Sequence, residues 1–150
     1  MAASKSRKTG HVVGAKGRDK RRKRPSLPDG YTPGDQEEFM SPMQQEYFQR
    51  KLLVWRQEIL AASSQTINAL REDTAPEADI GDRASTEAGR LIELRSRDRA
   101  RKLLSKIEAA LQRIEDGTYG FCEETGEPIG ISRLEARPVA TLSLAAQERH

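Results

Sequence analysis

The sequence predicts a mainly α-helical protein in which two long helices form an antiparallel coiled-coil hairpin, followed by a small module and a C-terminal helix. Two stretches carry apolar residues at heptad spacing, and a break that contains Pro76 separates them. Charged residues make up 33% of the 150-residue chain and aromatic residues 5%, which is typical of long solvated helices. We therefore expect a disordered basic tail at 1–40, the hairpin at 41–117 with its tip near 74–84, and the module at 118–150.

The N-terminal tail carries most of the positive charge. Residues 1–24 contain ten Lys or Arg and one Asp, a net charge of +9, whereas the whole chain has a net charge of +3. The remainder is therefore acidic. Residues 1–40 lack apolar periodicity, so we expect them to be largely disordered. The run Lys20-Arg-Arg-Lys-Arg24 either binds phosphates or serves as a solubilising arm.

The first helix has a clear start signal. Ser41 is the expected N-cap, Pro42 fits the first helical position, and Gln44 is the expected capping-box partner. Pro76 disfavours helical backbone in the residue before it, so the helix should end around residues 74–76. The heptad seam comprises Phe48, Leu52, Trp55, Ile59, Ala62, Thr66 and Ala69, widened by Leu53, Leu60 and Ile67.

The second helix is expected from about Asp82 to Asp116, with Gly117 directly after its last residue. A short turn between the helices makes them antiparallel, in a hairpin about 45–50 Å long. We expect apolar residues at both ends to hold the pair and a charged middle to be looser. The apolar residues are Ala84, Ala88 and Leu91 near the start, and Leu104, Ile107, Leu111 and Ile114 near the end.

The module at 118–150 has the turns of a zinc finger but not its ligands. A structural zinc site needs four Cys or His ligands, and the corresponding positions are Cys122, Thr125, Ser143 and Ala146. Cys122 is the only cysteine of the chain. We therefore expect a zinc-finger-like module that lacks the metal, with a helix at about 141–149. Its expected core comprises Phe121, Ile129, Ile131, Leu134, Val139, Leu142 and Leu144.

The sequence disfavours several classes of protein. It contains no Gly-rich phosphate loop, no Ser/His/Asp set and no metal-ligating cluster, so we expect no enzymatic activity. One cysteine cannot form an internal disulfide, which fits a reducing cytoplasm. No apolar run approaches the ~20 residues that cross a bilayer, and no secretory signal is recognisable. We expect a cytoplasmic monomer that does not bind membranes.

Three sequence blocks, in order and at compatible spacing, resemble the DksA family of bacterial regulators that act on RNA polymerase. They are Asp79-Ile-Gly-Asp-Arg-Ala84, Glu93-Leu-Arg-Ser-Arg-Asp-Arg-Ala-Arg-Lys102, and Tyr119-Gly-Phe-Cys122 with the segment from Ile129 to Pro138. The resemblance covers roughly residues 43–147. It departs from the family at the metal, because members commonly carry four ligating cysteines.

The acidic residues Asp79 and Asp82 have two interpretations. From the residues alone, either is a favourable cap for the second helix. The resemblance implies that Asp79, Asp82 and Ala84 lie at the coiled-coil tip, which reaches through the secondary channel of RNA polymerase towards its catalytic centre. The two interpretations are compatible, because a capping carboxylate at a loop apex is exposed.

The resemblance also implies two groups of basic residues with functional roles. It assigns Arg99 to a polymerase contact, whereas the residues alone favour a solvated helix face with pairs such as Glu93–Arg97. It implies the nucleotide ppGpp as a ligand between regulator and polymerase, held by Lys106 and Arg137. The corresponding third position, a lysine in well-known members, is Gln147 here. Alternatively, Arg137 pairs locally with Glu135 or Glu123.

Cys122 is expected to be an inert, small apolar residue. Glu123 and Glu124 beside it should raise the pKa of its thiol, which argues against a redox role.

The function we expect is that of a polymerase-binding regulator without zinc, which modulates open-complex stability together with ppGpp and does not read a DNA sequence. One alternative is a coiled-coil adaptor whose basic arm binds nucleic acid. Another is a transcript-cleavage factor whose paired carboxylates hold a second Mg²⁺.

Overall fold

The computed structural model describes residues 24–72 and 80–150. Within them the backbone forms four helices: α1 (Pro42–Glu72), α2 (Ile80–Asp116), α3 (Ile131–Ala136) and α4 (Leu144–Glu148). The mainly helical fold class is confirmed. The predicted turn at residues 74–76, Asp79 and the basic run up to Lys23 lie outside the described residues.

Helix α1 begins at the predicted Pro42, but its cap differs in one contact. The backbone N–H of Gln44 donates to Ser41 Oγ at 3.3 Å, as a capping box requires. The Gln44 side chain, however, accepts from the N–H of Met40 at 2.8 Å rather than from Ser41. The N–H of Ser41 donates instead to Glu38 O at 3.1 Å, so a turn before the helix already satisfies it.

Part of the segment predicted to be disordered, within residues 24–40, packs on the rest of the protein. The predicted disordered tail reached residue 40, but the structure packs the end of that segment on the body of the protein. Met40 is buried, and Phe39 stacks edge-on against Phe121 at a centroid distance of 5.4 Å. Tyr31 stacks against Tyr47 in the same way. These aromatic contacts place a segment that has no periodicity of its own against the hairpin and the module.

Helices α1 and α2 lie side by side and antiparallel. Near the base Arg56 of α1 pairs with Glu108 of α2 at 3.1 Å. Further along, Ile59 and Thr66 of α1 line a cavity together with Glu93 and Leu103 of α2. Helix α2 ends as predicted at Asp116. Gly117 follows with a φ of 79°, which suits a glycine after a helix, and the N–H of Thr118 donates to Arg113 O at 2.9 Å.

Among the described residues, the hairpin is packed at one end and not at both. Phe48 and Leu52 of α1 and Ile107 of α2 are fully buried. The other predicted apolar end is exposed: Ala84 and Ala88 face solvent, and Leu91 is 53% exposed. Small side chains at 84 and 88 provide little surface to bury. The stability of the pair therefore comes from its base.

The small module packs against this base and shares its core. Tyr119, Ile129, Leu134 and Ala146 are buried in one cluster with the base of the hairpin, and Tyr119 Oη donates to Pro138 O at 2.7 Å. An antiparallel bridge joins Phe121 to Pro128. Leu144 was predicted in this core but is 60% exposed, because it is the first residue of α4 and Ser143 before it caps that short helix.

Candidate functional site

The acidic residue Asp82 lies in the first turn of α2, at the end of the hairpin opposite the packed base. Because α2 begins at Ile80, Asp82 is not the N-cap residue; it is inside the helix, where its carboxylate interacts favourably with the helix dipole. Asp82 and Ala84 are both exposed. The structure therefore presents a carboxylate on an end of the hairpin that contributes little to the core.

Arg99 differs from the charged residues around it on α2. Arg97 pairs with Glu93 at 3.1 Å, as predicted, and both Arg101 and Lys102 pair with Asp98 at 2.8 Å. Hydrogen bonds from Lys102 and Arg101 lower the pKa of the Asp98 carboxyl. No residue in the described ranges pairs with Arg99, whose exposed side chain lines a shallow cavity between the two helices.

The predicted ppGpp residues Lys106, Arg137 and Gln147 line one groove between α2 and the module. The groove has a volume of about 370 Å³. Arg113, Arg133 and His150 also line it, and no Asp or Glu of the described residues does. A concave surface with several cations and no acid attracts anions, and guanidinium groups favour phosphate geometry.

The alternative partners of Arg137 are occupied elsewhere. Glu135 pairs with Lys51 at 2.5 Å, and Glu123 lies 3.6 Å from Arg113 Nη1. Arg113 Nη2 is buried and, among the described residues, has no hydrogen-bond partner. Arg113 is thus a groove residue whose guanidinium is only partly paired within the described part of the chain.

Sequence reasoning missed Arg113, Arg133 and His150 as residues of this groove. Arg133 was present in the block that carries the resemblance, and its spacing of four from Arg137 places both on one side of a helical turn. That spacing was a usable signal. Arg113 and His150 reach the groove only through the packing of the module on α2.

The four zinc-finger positions come together around the Cys122 thiol. The Thr125 hydroxyl and the backbone of Ser143 hydrogen-bond to it, and Ser143 Oγ accepts from the N–H of Ala146 at 3.3 Å. These contacts lower the pKa of the Cys122 thiol to about 6, the Thr125 hydrogen bond being the largest cause. The predicted upward shift was wrong, because the donors touch the sulfur whereas Glu123 and Glu124 are exposed.

This cluster does not fit zinc. One thiol, two hydroxyls and a methyl group replace the four Cys or His ligands of a structural site. Within the described residues no group of three His, Cys, Asp or Glu could hold a metal ion. His150 does not substitute for a ligand, since its Nε2 lies 3.1 Å from Glu124 Oε2.

None of the helices described combines the length and the apolar character needed to cross a bilayer.

Comparison with known proteins identifies the family. Residues 44–114 match the family "DnaK suppressor protein DksA, N-terminal domain", and residues 117–150 match "Prokaryotic dksA/traR C4-type zinc finger". The chain is 59% identical to the RNA polymerase-binding transcription factor DksA of Caulobacter vibrioides over 80% of this chain and 84% of the relative. It is 43% identical to the protein of that name from Escherichia coli, over 72% of each chain.

A solved structure agrees with these matches. The structure of transcription factor DksA2 from Pseudomonas aeruginosa has a TM-score of 0.70 and 44% sequence identity, and the match covers 76% of this chain and 89% of that one. The two family matches cover the hairpin and the module of this chain, one after the other. This chain therefore belongs to the DksA family.

Proposed function

We propose that this protein is a transcription regulator that binds RNA polymerase and acts without catalysing a reaction. Its relatives are named RNA polymerase-binding transcription factors. The hairpin inserts its tip into the secondary channel of the enzyme and changes the stability of open complexes, lowering transcription from stable-RNA promoters and raising it from others. The protein works in the cytoplasm as a monomer and reads no DNA sequence.

The observation that carries this proposal is the position of Asp82. Its carboxylate is exposed at one end of the hairpin, and the packed core that joins hairpin and module is at the other. A negative charge delivered to a site rich in cations and Mg²⁺ changes an equilibrium if it interacts differently with the two states. The two ends of the hairpin then have separate roles. The base, together with the module, binds the outer surface of the polymerase, and the tip with Asp82 acts inside the secondary channel.

The test is a charge-neutral substitution at the tip. Asp82→Asn should abolish inhibition of a ribosomal-RNA-type promoter while the affinity for core polymerase stays close to that of the wild type. Asp116→Asn is the matched control, because it makes the same change at the opposite end of α2. Loss of polymerase binding in Asp82→Asn would mean that the carboxylate only stabilises the helix.

Two further experiments separate the alternatives. Deletion of residues 1–24 should leave polymerase binding unchanged under this proposal, whereas an adaptor with a nucleic-acid-binding arm would lose its binding. Backtracked polymerase should release no short transcript when the protein is added. Release that depends on Asp82 would indicate a cleavage factor instead.

We further propose that the groove between α2 and the module binds ppGpp at the polymerase interface. Lys106 and Arg137 bind its phosphates, and the absence of Asp and Glu among the described lining residues supports this assignment. Titration of ppGpp on the protein–polymerase complex with Arg137→Ala tests this assignment. Arg101→Ala is the control, because it removes one positive charge from an exposed side chain outside the groove. An unchanged response in Arg137→Ala would remove that residue from the site.

A further inference from the structure

Arg133, one of the cations of the groove, is held in place by two hydrogen bonds within the module. Its Nε donates to Leu142 O at 3.0 Å, and its Nη2 donates to Gln147 Oε1. The two acceptors lie before and within α4, whereas Arg133 belongs to α3. The guanidinium therefore bridges two elements of the module. Lys106 and Arg137, by comparison, are exposed.

This arrangement prepares Arg133 to bind an anion. A guanidinium carries five N–H donors, and the two contacts engage two of them, so donors remain for an acceptor in the groove. Because the side chain is already held in place, it loses little conformational freedom when a ligand arrives, and affinity increases accordingly. The planar fork also matches two oxygens of one phosphoryl group.

Gln147 has a different part in the same arrangement. It lines the groove but carries no charge, and its amide oxygen accepts from Arg133. An amide oxygen repels phosphate oxygens, so this end of the side chain is better suited to hold the guanidinium than to bind the ligand. Its effect on binding would then pass through Arg133.

The inference rests on the proposed ppGpp site. From these contacts we propose that Arg133 is a preordered cation of the groove, which binds a phosphoryl group of ppGpp through paired hydrogen bonds. Gln147 is a positioning residue, which keeps the Arg133 guanidinium in its binding orientation.

The experiment uses the full-length chain with RNA polymerase and titrates ppGpp, with the lifetime of open complexes as the readout. In Arg133→Ala the concentration for half-maximal effect should rise on the order of tenfold or more, the range expected for hydrogen bonds to a charged group. Arg133→Lys keeps the charge but not the fork and should fall between wild type and Arg133→Ala. Arg101→Ala should titrate like the wild type.

A double-mutant cycle tests the role of Gln147. Gln147→Ala alone should weaken the ppGpp response by roughly threefold to tenfold, but it should add nothing in the Arg133→Ala background. Independent, multiplicative effects would mean that Gln147 acts on the ligand directly, and they would overturn the positioning role.

Further controls distinguish a folding defect from a loss of ppGpp binding, and failure of this inference from failure of the proposed ppGpp site. Arg133→Gln removes the charge but keeps an N–H for the Leu142 carbonyl, so it replaces Arg133→Ala if that variant does not fold. If both Arg133 variants respond like the wild type while Arg137→Ala does not respond, this inference is wrong and the ppGpp site stands. If the wild-type chain itself does not respond to ppGpp, the site and the inference both fail.

Discussion

Lys51 of α1 and Glu135 of α3 form an ion pair that joins the module to the hairpin beside their shared core. Lys51 Nζ lies 2.5 Å from Glu135 Oε1 and 2.9 Å from Glu135 O. Tyr47 Oη donates to the same carboxylate at 2.9 Å. Burial, and then the Glu135 carboxylate, raise the pKa of Tyr47. One carboxylate thus accepts from two side chains of α1.

Loss of this carboxylate should loosen the module. Glu135→Ala leaves the Tyr47 hydroxyl and the Lys51 ammonium without their acceptor, so we expect the free energy of unfolding to fall by about 1–2 kcal/mol. The upper bound is modest because the ion pair is partly exposed. Urea denaturation measures the change. Glu115→Ala, on an exposed position of α2, is the control and should be nearly neutral.

Because the hairpin is packed at its base, two Leu→Ala substitutions on α1 should lower the free energy of unfolding by different amounts. Leu52 is fully buried and Leu60 is 45% exposed. Leu52→Ala should destabilise by about 2–5 kcal/mol, since it leaves a cavity in the core. Leu60→Ala should cost less than about 1 kcal/mol, as expected for a partly exposed side chain. Equal losses in thermal unfolding would contradict the fold described here.

Gly120 and Gly126 allow a matched test of the contact between the module and residue 40. Both have positive φ, 90° and 73°, so Ala is strained at either position. A Cβ at Gly120 would lie 2.8 Å from Met40 Cγ, whereas nothing lies within 4 Å of one at Gly126. Gly120→Ala should therefore cost about 1–3 kcal/mol more than Gly126→Ala in chemical denaturation. A smaller cost at Gly120 would show that Met40 does not pack there.

Removal of metal should not affect stability. Only Cys122 of the four zinc-finger positions supplies a thiolate, so the apolar core must stabilise the module instead. We expect the same melting temperature with and without a strong chelator, and no stoichiometric zinc by elemental analysis. A melting temperature that falls in chelator would refute this prediction.

The lowered pKa of the Cys122 thiol predicts how the stability of the fold depends on pH. Its pKa is about 6 in the folded chain against an ordinary value of 9.0, so the folded state favours the thiolate. This contribution to stability is absent below about pH 6, grows as the pH rises towards 9, and is complete above it. The difference in melting temperature between wild type and Cys122→Ser should widen over that interval.

A second variant checks the cause of this shift. Thr125→Val removes the hydroxyl that contributes most to it. The ultraviolet absorbance of the thiolate should then titrate at higher pH than in the wild type. A wild-type titration near pH 9 would show that the thiol is not held by these hydrogen bonds.

The helix ends could be predicted from sequence because local chemistry determines them. Pro42 after Ser41 and Gly117 after Asp116 act through neighbouring backbone groups, and both boundaries lie where expected. The seam residues Phe48, Leu52, Ile107 and Ile114 were also identified correctly as buried. Heptad spacing is sufficient to identify buried residues where large side chains of both helices face each other.

Other features could not be predicted from the sequence, because they depend on contacts between distant parts of the chain. Leu91 has the correct spacing for the seam, yet it is exposed, because periodicity does not show what lies opposite. Met40 is buried through Gly120, and Arg133 is oriented by Gln147; no local pattern encodes either pair. The shift at Cys122 was predicted in the wrong direction because sequence shows neighbours along the chain and not the donors that surround the sulfur.

Because the buried core lies at the base of the hairpin, the protein tolerates amino-acid substitutions differently at its two ends. Since Leu91, Ile92 and Leu94 bury little surface, replacing exposed residues in that part of α2 removes little folding free energy. Under the proposed function, mutations near Asp82 would therefore alter the regulatory effect without the loss of abundance that destabilised chains suffer. Natural variation would then change regulation at one end of the hairpin while the other end preserves the fold.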